Sequence, residues 1–372
     1  MTESASSINI KIRRYPCPGC SAELIFEPKD HCLACPYCGR TEEIAATADQ
    51  VRERSYEDYL NLKPEQLQTA EAGVQEVQCS NCGASVTFAP PDIAGQCAFC
   101  ASPIVAQPAV PSPMLAPESV LPFGFPQGHA AETIKSWLAS RWFAPNALFR
   151  LASHDGVSGV YLPYWTFDAY AISHYSGERG EYYWETETYQ DRDERGRTVT
   201  KTRQARKTRW FPASGQVERW FDDILIPAAR SILPVRLKAL EPWDLKELKS
   251  YQPAYLSGFR AQRYQIDPKE GFDDAKQVMA SVITNDIQRD IGGDEQRIHQ
   301  VLTAYSAITF KHLLLPVWVS ACRFRGKVYQ VLVNARTGEV QGERPFSFIK
   351  LAALLLLIFI IFLVLAILSQ QH

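Results

Sequence analysis

Between Cys17 and Cys100 the chain writes one 22-residue unit twice. The first copy is Cys17-Pro-Gly-Cys20 … Cys35-Pro-Tyr-Cys38, and the second is Cys79-Ser-Asn-Cys82 … Cys97-Ala-Phe-Cys100. A shift of 62 positions superposes them without a gap. All four cysteines then coincide, with Ala22/Ala84, Phe26/Phe88, Pro28/Pro90 and Asp30/Asp92, while Tyr37 and Phe99 match in kind. A C-x2-C-x14-C-x2-C pattern that recurs with its internal residues constrains the chain more than any other feature.

The spacing suits zinc. Two residues between paired cysteines let one tight turn aim both sulfurs at one ion, and four thiolates complete a tetrahedral site. Gly39 and Gly83, after Cys38 and Cys82, suit a backbone folding closely around sulfur. The segments 22–26 and 84–88 are β-prone. Each unit is too small for a core of its own, so metal binding would supply much of its folding energy. The expected ligands are Cys17, Cys20, Cys35 and Cys38 for one structural zinc and Cys79, Cys82, Cys97 and Cys100 for a second. Cys32 aligns with Ala94 and His31 with Ile93, so neither is required as a ligand. Cys322, far away in an apolar run, reads as buried and inert.

The 372 residues have room for two or three domains, and a formal charge of −2 gives no global bias towards nucleic acid. The expected architecture is multidomain. It comprises two rubredoxin-like zinc ribbons (15–44 and 77–105) joined by a helical spacer (45–76), a Pro-rich linker (106–127), an α+β domain (128–345) and a C-terminal transmembrane helix (348–369). Within the α+β domain, residues 130–142 read as an amphipathic helix and Pro145 opens a shorter one. An aromatic strand covers 160–172, where Pro163 suggests an edge or a bulge. A second helix begins at Asp267-Pro-Lys-Glu270, with N-cap, first-position and capping-box residues in order, and stops at Gly292-Gly293. Strands follow at about 298–310, 312–324, 327–334 and 338–343. Leu162-Pro-Tyr-Trp165 and Leu315-Pro-Val-Trp318 echo each other.

Residues 182–189 and 198–210 read as a long hairpin with Gly196 in its turn. Its second arm, with Arg197, Lys201, Arg203, Arg206, Lys207 and Arg209, is the one basic run with aromatic neighbours. It offers a surface for nucleic acid or anionic lipid. The favoured alternative pairs these bases across the strands with Glu181, Glu185 and Glu187.

Residues 351–368 hold fifteen Leu, Ile, Val or Phe and three Ala, with no charge. As a helix this run is about 27 Å long, near the roughly 30 Å hydrocarbon core, and predicts a lipid-bilayer span. Arg336, Arg344 and Lys350 precede it, which places the N-terminal bulk in the cytosol, a reducing compartment where thiols stay available to metal.

No P-loop, H-E-x-x-H, G-x-S-x-G or kinase motif set occurs. Asp168, Asp222-Asp223 and Asp273-Asp274 read as turn and helix-surface carboxylates. A site closed by four thiolates lacks the open position that zinc catalysis needs, so no enzyme is expected.

The order of paired ribbons, YLPYWTFDAY, LLLPVWVSACRFRGKVYQVLVNARTGEVQGERPFS and a terminal apolar run resembles bacterial zinc-ribbon single-pass membrane proteins. Members of that group are often labelled primosomal protein N′ or helicase-like, although this chain lacks motor motifs. They resemble companions of SPFH-domain (flotillin-like) and phage-shock-type proteins. The resemblance implies an SPFH-type protein partner at the bacterial inner membrane. The expectation is therefore a non-enzymatic, tail-anchored adaptor recruiting protein partners, with a membrane-tethered nucleic-acid binder as the alternative.

Overall fold

The computed structural model describes residues 15–45, 51–62, 68–69, 75–82, 84–88, 94–105, 113–141, 156–192, 196–324, 327–343, 352 and 354–362. The elements in chain order are β1 (Ile25–Glu27), β2 (Cys32–Ala34), β3 (Thr41–Glu43), β4 (Arg54–Ser55), α1 (Tyr56–Leu60), β5 (Gln68–Thr69), β6 (Gln75–Gln78), β7 (Ser85–Phe88), β8 (Ala94–Gln96), β9 (Pro103–Val105), β10 (Pro113–Met114), β11 (Ser119–Val120), α2 (Gln127–Ala139), β12 (Val157–Arg192), β13 (Thr198–Pro227), α3 (Pro234–Ala239), β14 (Lys249–Ser250), β15 (Arg260–Ala261), α4 (Pro268–Ile291), β16 (Glu295–Phe324), β17 (Lys327–Asn334) and β18 (Val340–Gly342).

One large, mostly antiparallel sheet organises the molecule. Its nine strands run in the order β13-β12-β16-β11-β14, with β17 and β18 continuing from β16, β15 beside β12 and β4 beside β16. This corrects the expected α+β domain with detached ribbons. The predicted hairpin at 182–210 is only the outer part of two strands of 36 and 30 residues. The strands expected at 298–310 and 312–324 are one, β16. A bulge at Ala307, with φ +49°, absorbs the irregularity without ending the ladder. Pro163 lies inside the sheet opposite Leu314, not at an edge. It is tolerated because the β13 ladder starts one residue later, at Tyr164, and Pro163 O accepts from Ala228 N just beyond the strand end (2.9 Å).

Alternation along the strands sorts the core onto two faces. On the first face Tyr161, Leu314, Trp318, Val331 and Val333 pack with ribbon 1 (Leu24, Phe26, Leu33) and α2. Further along that face, Trp165, Phe167 and Phe310 pack under α4. On the second face Val160, Leu162, Leu315, Val317 and Leu332 pack with ribbon 2 (Ala84, Phe99) and Leu237 of α3. The ribbons therefore clasp one sheet from opposite sides. The chain between them contributes β4 to the sheet edge, paired with Thr309 and Phe310.

Helix α4 follows its sequence signals. Asp267 Oδ1 accepts from Glu270 N (2.8 Å), Pro268 opens the first turn, and Gly292 at φ +65° stops the helix. The two Leu-Pro-x-Trp segments lie on β12 and β16, neighbouring antiparallel strands each preceded by a helix on the first face. The helix expected at Pro145 lies outside the described residues, as does the side chain of Cys322.

The transmembrane helix and the single-pass inner-membrane location are also corrected. Among the described residues no helix is long and apolar enough to cross a membrane. The continuous described helix in that run covers 354–362. At about 1.5 Å per residue it is less than half of the roughly 30 Å that a span requires. The case for metal at the cysteines therefore rests on their geometry, not on compartment.

Candidate metal centres

The structure brings together both predicted ligand sets. In each cluster the four sulfurs lie within 4.8 Å of one another. The closest pairs repeat with the sequence: Cys17–Cys38 at 3.5 Å and Cys20–Cys35 at 3.5 Å, then Cys79–Cys100 at 3.5 Å and Cys82–Cys97 at 3.6 Å. A zinc–sulfur bond of about 2.3 Å implies tetrahedral edges of about 3.8 Å, close to these spacings.

The same backbone turn positions the sulfurs. Cys17, Cys35, Cys79 and Cys97 each donate their N–H to the carbonyl five residues on, at 2.6–2.9 Å. In three of the four turns the residue four positions on, among the described residues, donates to the cysteine carbonyl: Ser21, Gly39 and Ala101, at φ +58°, +73° and +53°. Glycine suits that left-handed position, yet Ser21 and Ala101 hold it too, so the turn is imposed by what it surrounds. Gly83, at the matching position, lies outside the described residues. Strands β2 and β3 recur 62 residues later as β8 and β9.

Shared hydrogen bonds bias the thiols in opposite directions. Backbone N–H groups, that of Cys38 foremost, push Cys35 down to about 6. The Ala22 N–H favours the Cys20 thiolate, but the neighbouring Cys35 sulfur and burial outweigh it and push Cys20 up to about 12. In ribbon 2 the hydrogen bond with Cys82 lowers Cys97 to about 5, while the same contact raises Cys82. Four adjacent thiolates repel, and a dication removes that penalty. The clusters fit two structural zinc ions with every position filled by sulfur. Cys32 is buried in β2 and belongs to neither cluster.

The basic run lies on an arm that leaves the sheet. Strand β16 accompanies β12 only as far as Gly180, opposite Glu295. Beyond it, Glu181–Arg192 and Thr198–Arg209 pair with each other alone, a two-stranded ribbon about 40 Å long. Its bases are engaged on the arm itself. Lys201 meets Asp191 (2.7 Å), Arg203 meets Glu187 (3.3 Å), and Lys207 meets Glu185 (2.6 Å) and Glu187 (3.2 Å). Arg206 lies 4.1 Å over Tyr182 and Arg209 4.9 Å over Tyr183. Arg197 is exposed near the tip and also has a partner.

A buried charged group corrects the reading of Asp168 as a surface carboxylate. Asp168 is not at a turn. It sits in mid-β12, between a bulge in β13 and a bulge in β16. Asp223, at φ +50°, donates its N–H to Asp168 Oδ1 (2.6 Å). The Thr309 hydroxyl bridges Asp168 Oδ2 (3.0 Å) and Glu53 Oε2 (2.8 Å). Buried Lys311 meets Asp223 (2.8 Å) and Glu53 (3.1 Å). Burial, with Glu53 nearby, pushes Asp168 up to about 6. The group fastens the inter-ribbon chain, through Glu53, to Thr309 and Lys311 of β16. Its sequence signal was an acid inside an aromatic strand.

The chain is similar to a Bacillus subtilis (strain 168) protein described as the uncharacterized protein YdjG. The two are 24% identical over 359 residues, 91% of this chain and 92% of the relative. No family model matches. No solved structure matches. The similarity covers most of the chain; it lends no support to the helicase-like or SPFH-companion resemblance.

Proposed function

We propose that this protein is a non-enzymatic zinc-ribbon adaptor that binds a protein partner. The observation that carries the reading is the pairing of two closed four-thiolate sites with a projecting arm whose strands, among the described residues, pair only with each other beyond Gly180. Closed zinc sites stabilise structure and leave no coordination position for substrate. The arm offers two open strand edges, which suit main-chain pairing with another protein. Nucleic acid is the weaker reading, because the bases that would meet phosphate already meet Asp191, Glu185 and Glu187.

Affinity purification of the full chain from its own host tests this. A stoichiometric protein partner, retained by wild type and lost when Cys79→Ser removes a ligand, is the expected result. Binding to DNA or RNA that falls steeply with salt, and is weakened by neutralising Arg203, Arg206 and Arg209, would replace the adaptor reading with the nucleic-acid one.

A further inference from the structure

The two metal units are copies in sequence but not in setting. In ribbon 2, Cys79, Cys97 and Cys100 are buried and Cys82 is half-buried. Its tip is plugged into the sheet: Phe99 is 2% exposed, and Gln330 Nε2 donates to its carbonyl. In ribbon 1, Cys20 and Cys38 are exposed, and Tyr37, at the position of Phe99, is 83% exposed. Each close sulfur pair of ribbon 1 thus joins an exposed sulfur to a buried one: Cys38 to Cys17 and Cys20 to Cys35, both at 3.5 Å.

We propose that ribbon 1 is a peroxide-sensitive zinc site, with Cys20 and Cys38 as its points of attack, and that ribbon 2 keeps its metal. Oxidation of cysteine requires a thiolate and access, and zinc supplies the first at every ligand. Only ribbon 1 adds the second at two ligands. The exposed thiolate attacks the peroxide O–O bond, becoming a sulfenic acid and releasing hydroxide. The paired buried thiolate then attacks the sulfenic sulfur, forms the S–S bond and displaces a second hydroxide. Two thiolates lose two electrons, one hydrogen peroxide gains them, and two protons complete two waters. A zinc ion held there would keep only two of its four sulfur ligands and would be released.

The fold gives that loss a consequence. Ribbon 1 depends on metal for its fold, and its Phe26 packs on Tyr255 and Phe259 (ring centroids 5.5 and 6.3 Å), Phe259 in turn lying against Phe123, Tyr161 and Trp318. Polar contacts that hold it there include Phe26 N to Ser257 O (3.0 Å), Ser257 Oγ to Leu24 O (2.6 Å) and Gln252 Nε2 to Ala45 O (2.8 Å). A cleft of about 440 Å³, lined by Phe26, Pro28, Gly159 and Phe259, already separates part of the ribbon from the sheet. Oxidation would therefore uncover an aromatic face.

The test treats the zinc-loaded full chain with hydrogen peroxide beside a chromogenic zinc chelator. One of the two zincs should leave at least roughly tenfold faster than the other, reflecting thiolate access. Peptide mapping after alkylation should place the new disulfide at Cys17–Cys38 or Cys20–Cys35, with the ribbon-2 thiols still free. Fluorescence of an apolar-surface dye should rise with the fast phase and fall again on adding reductant and zinc. A Cys20→Ser/Cys38→Ser double variant should lack the fast phase. Release of both zincs in one phase, or disulfides first in ribbon 2, would overturn the proposal. The wild-type mapping decides the question even if the variant fails to fold.

Discussion

Tyr37 and Phe99 hold the same position of the repeated unit, yet Tyr37 is 83% exposed and Phe99 only 2%. The local turn is the same in both: Gly39 and Ala101 each donate back to the first cysteine of the pair. What differs is the neighbour. Phe99 meets the second face of the sheet, and Tyr37 meets solvent. Truncating each measures that difference. Phe99→Ala should cost about 3–5 kcal/mol, as expected for a buried aromatic. Tyr37→Ala should stay within about 0.5 kcal/mol. Urea unfolding of the two variants checks this, and equal losses would show that the two tips share one environment.

Metal content tests the basis of the fold. Purified full-length chain should carry two zinc ions, one for each sulfur cluster. Atomic absorption giving well below two would sink the two-ribbon reading. Stripping the metal with a strong chelator should lower the melting temperature and loosen both ribbons, because metal binding is part of their folding free energy.

The seat of ribbon 1 depends on Gly258. Its φ is +84°, and an added Cβ would meet Ile25 Cβ at 2.9 Å. Gly258→Ala should cost about 1–2 kcal/mol from the left-handed backbone alone, with the clash in addition. The expected sign is faster limited proteolysis within 15–45, while the sheet keeps its cooperative unfolding. A ribbon as protease-resistant as wild type would contradict this seating.

His312 sets a pH dependence. It is 1% exposed, and burial pushes it down from 6.5 to about 4. Between those values the unfolded chain binds a proton that the folded chain refuses. Stability should therefore fall as pH drops from about 6.5 to about 4, by about 3 kcal/mol in all. Acid also weakens zinc–thiolate bonds, so the comparison is with His312→Phe at matched pH. That variant should show a shallower acid slope; parallel slopes would rule out His312 as the cause.

The arm should be removable. Beyond Gly180 it pairs only with itself, and Trp184 stands opposite Arg206. Replacing residues 185–205 by Asn-Gly would close the hairpin with a favoured two-residue turn. Zinc content and melting temperature should change little, whereas partner capture should be lost. A collapse of stability would show that the arm supports the sheet, and capture unchanged would place the partner elsewhere.

The repeat alone determined the local chemistry. Spacing within a C-x2-C pair fixes a turn, so the two ligand sets, the exclusion of Cys32 and the first strand between the pairs of each unit were legible in the sequence, whereas β2 and β8 were not. So were both ends of α4, because capping by Asp267 and termination at Gly292 involve residues a few positions apart. What only the tertiary structure decided comes from pairing at long range. The length of β12 and β13, the burial of Asp168 between two bulges, and the setting of Pro163 depend on strands far apart in the chain. The apolar run at 351–368 has the composition of a membrane span, but the helix it forms among the described residues is too short for one. The same holds for the ribbons. Local bonding makes two equal metal sites, and the two faces of one sheet make them unequal, burying one tip and leaving the other in solvent.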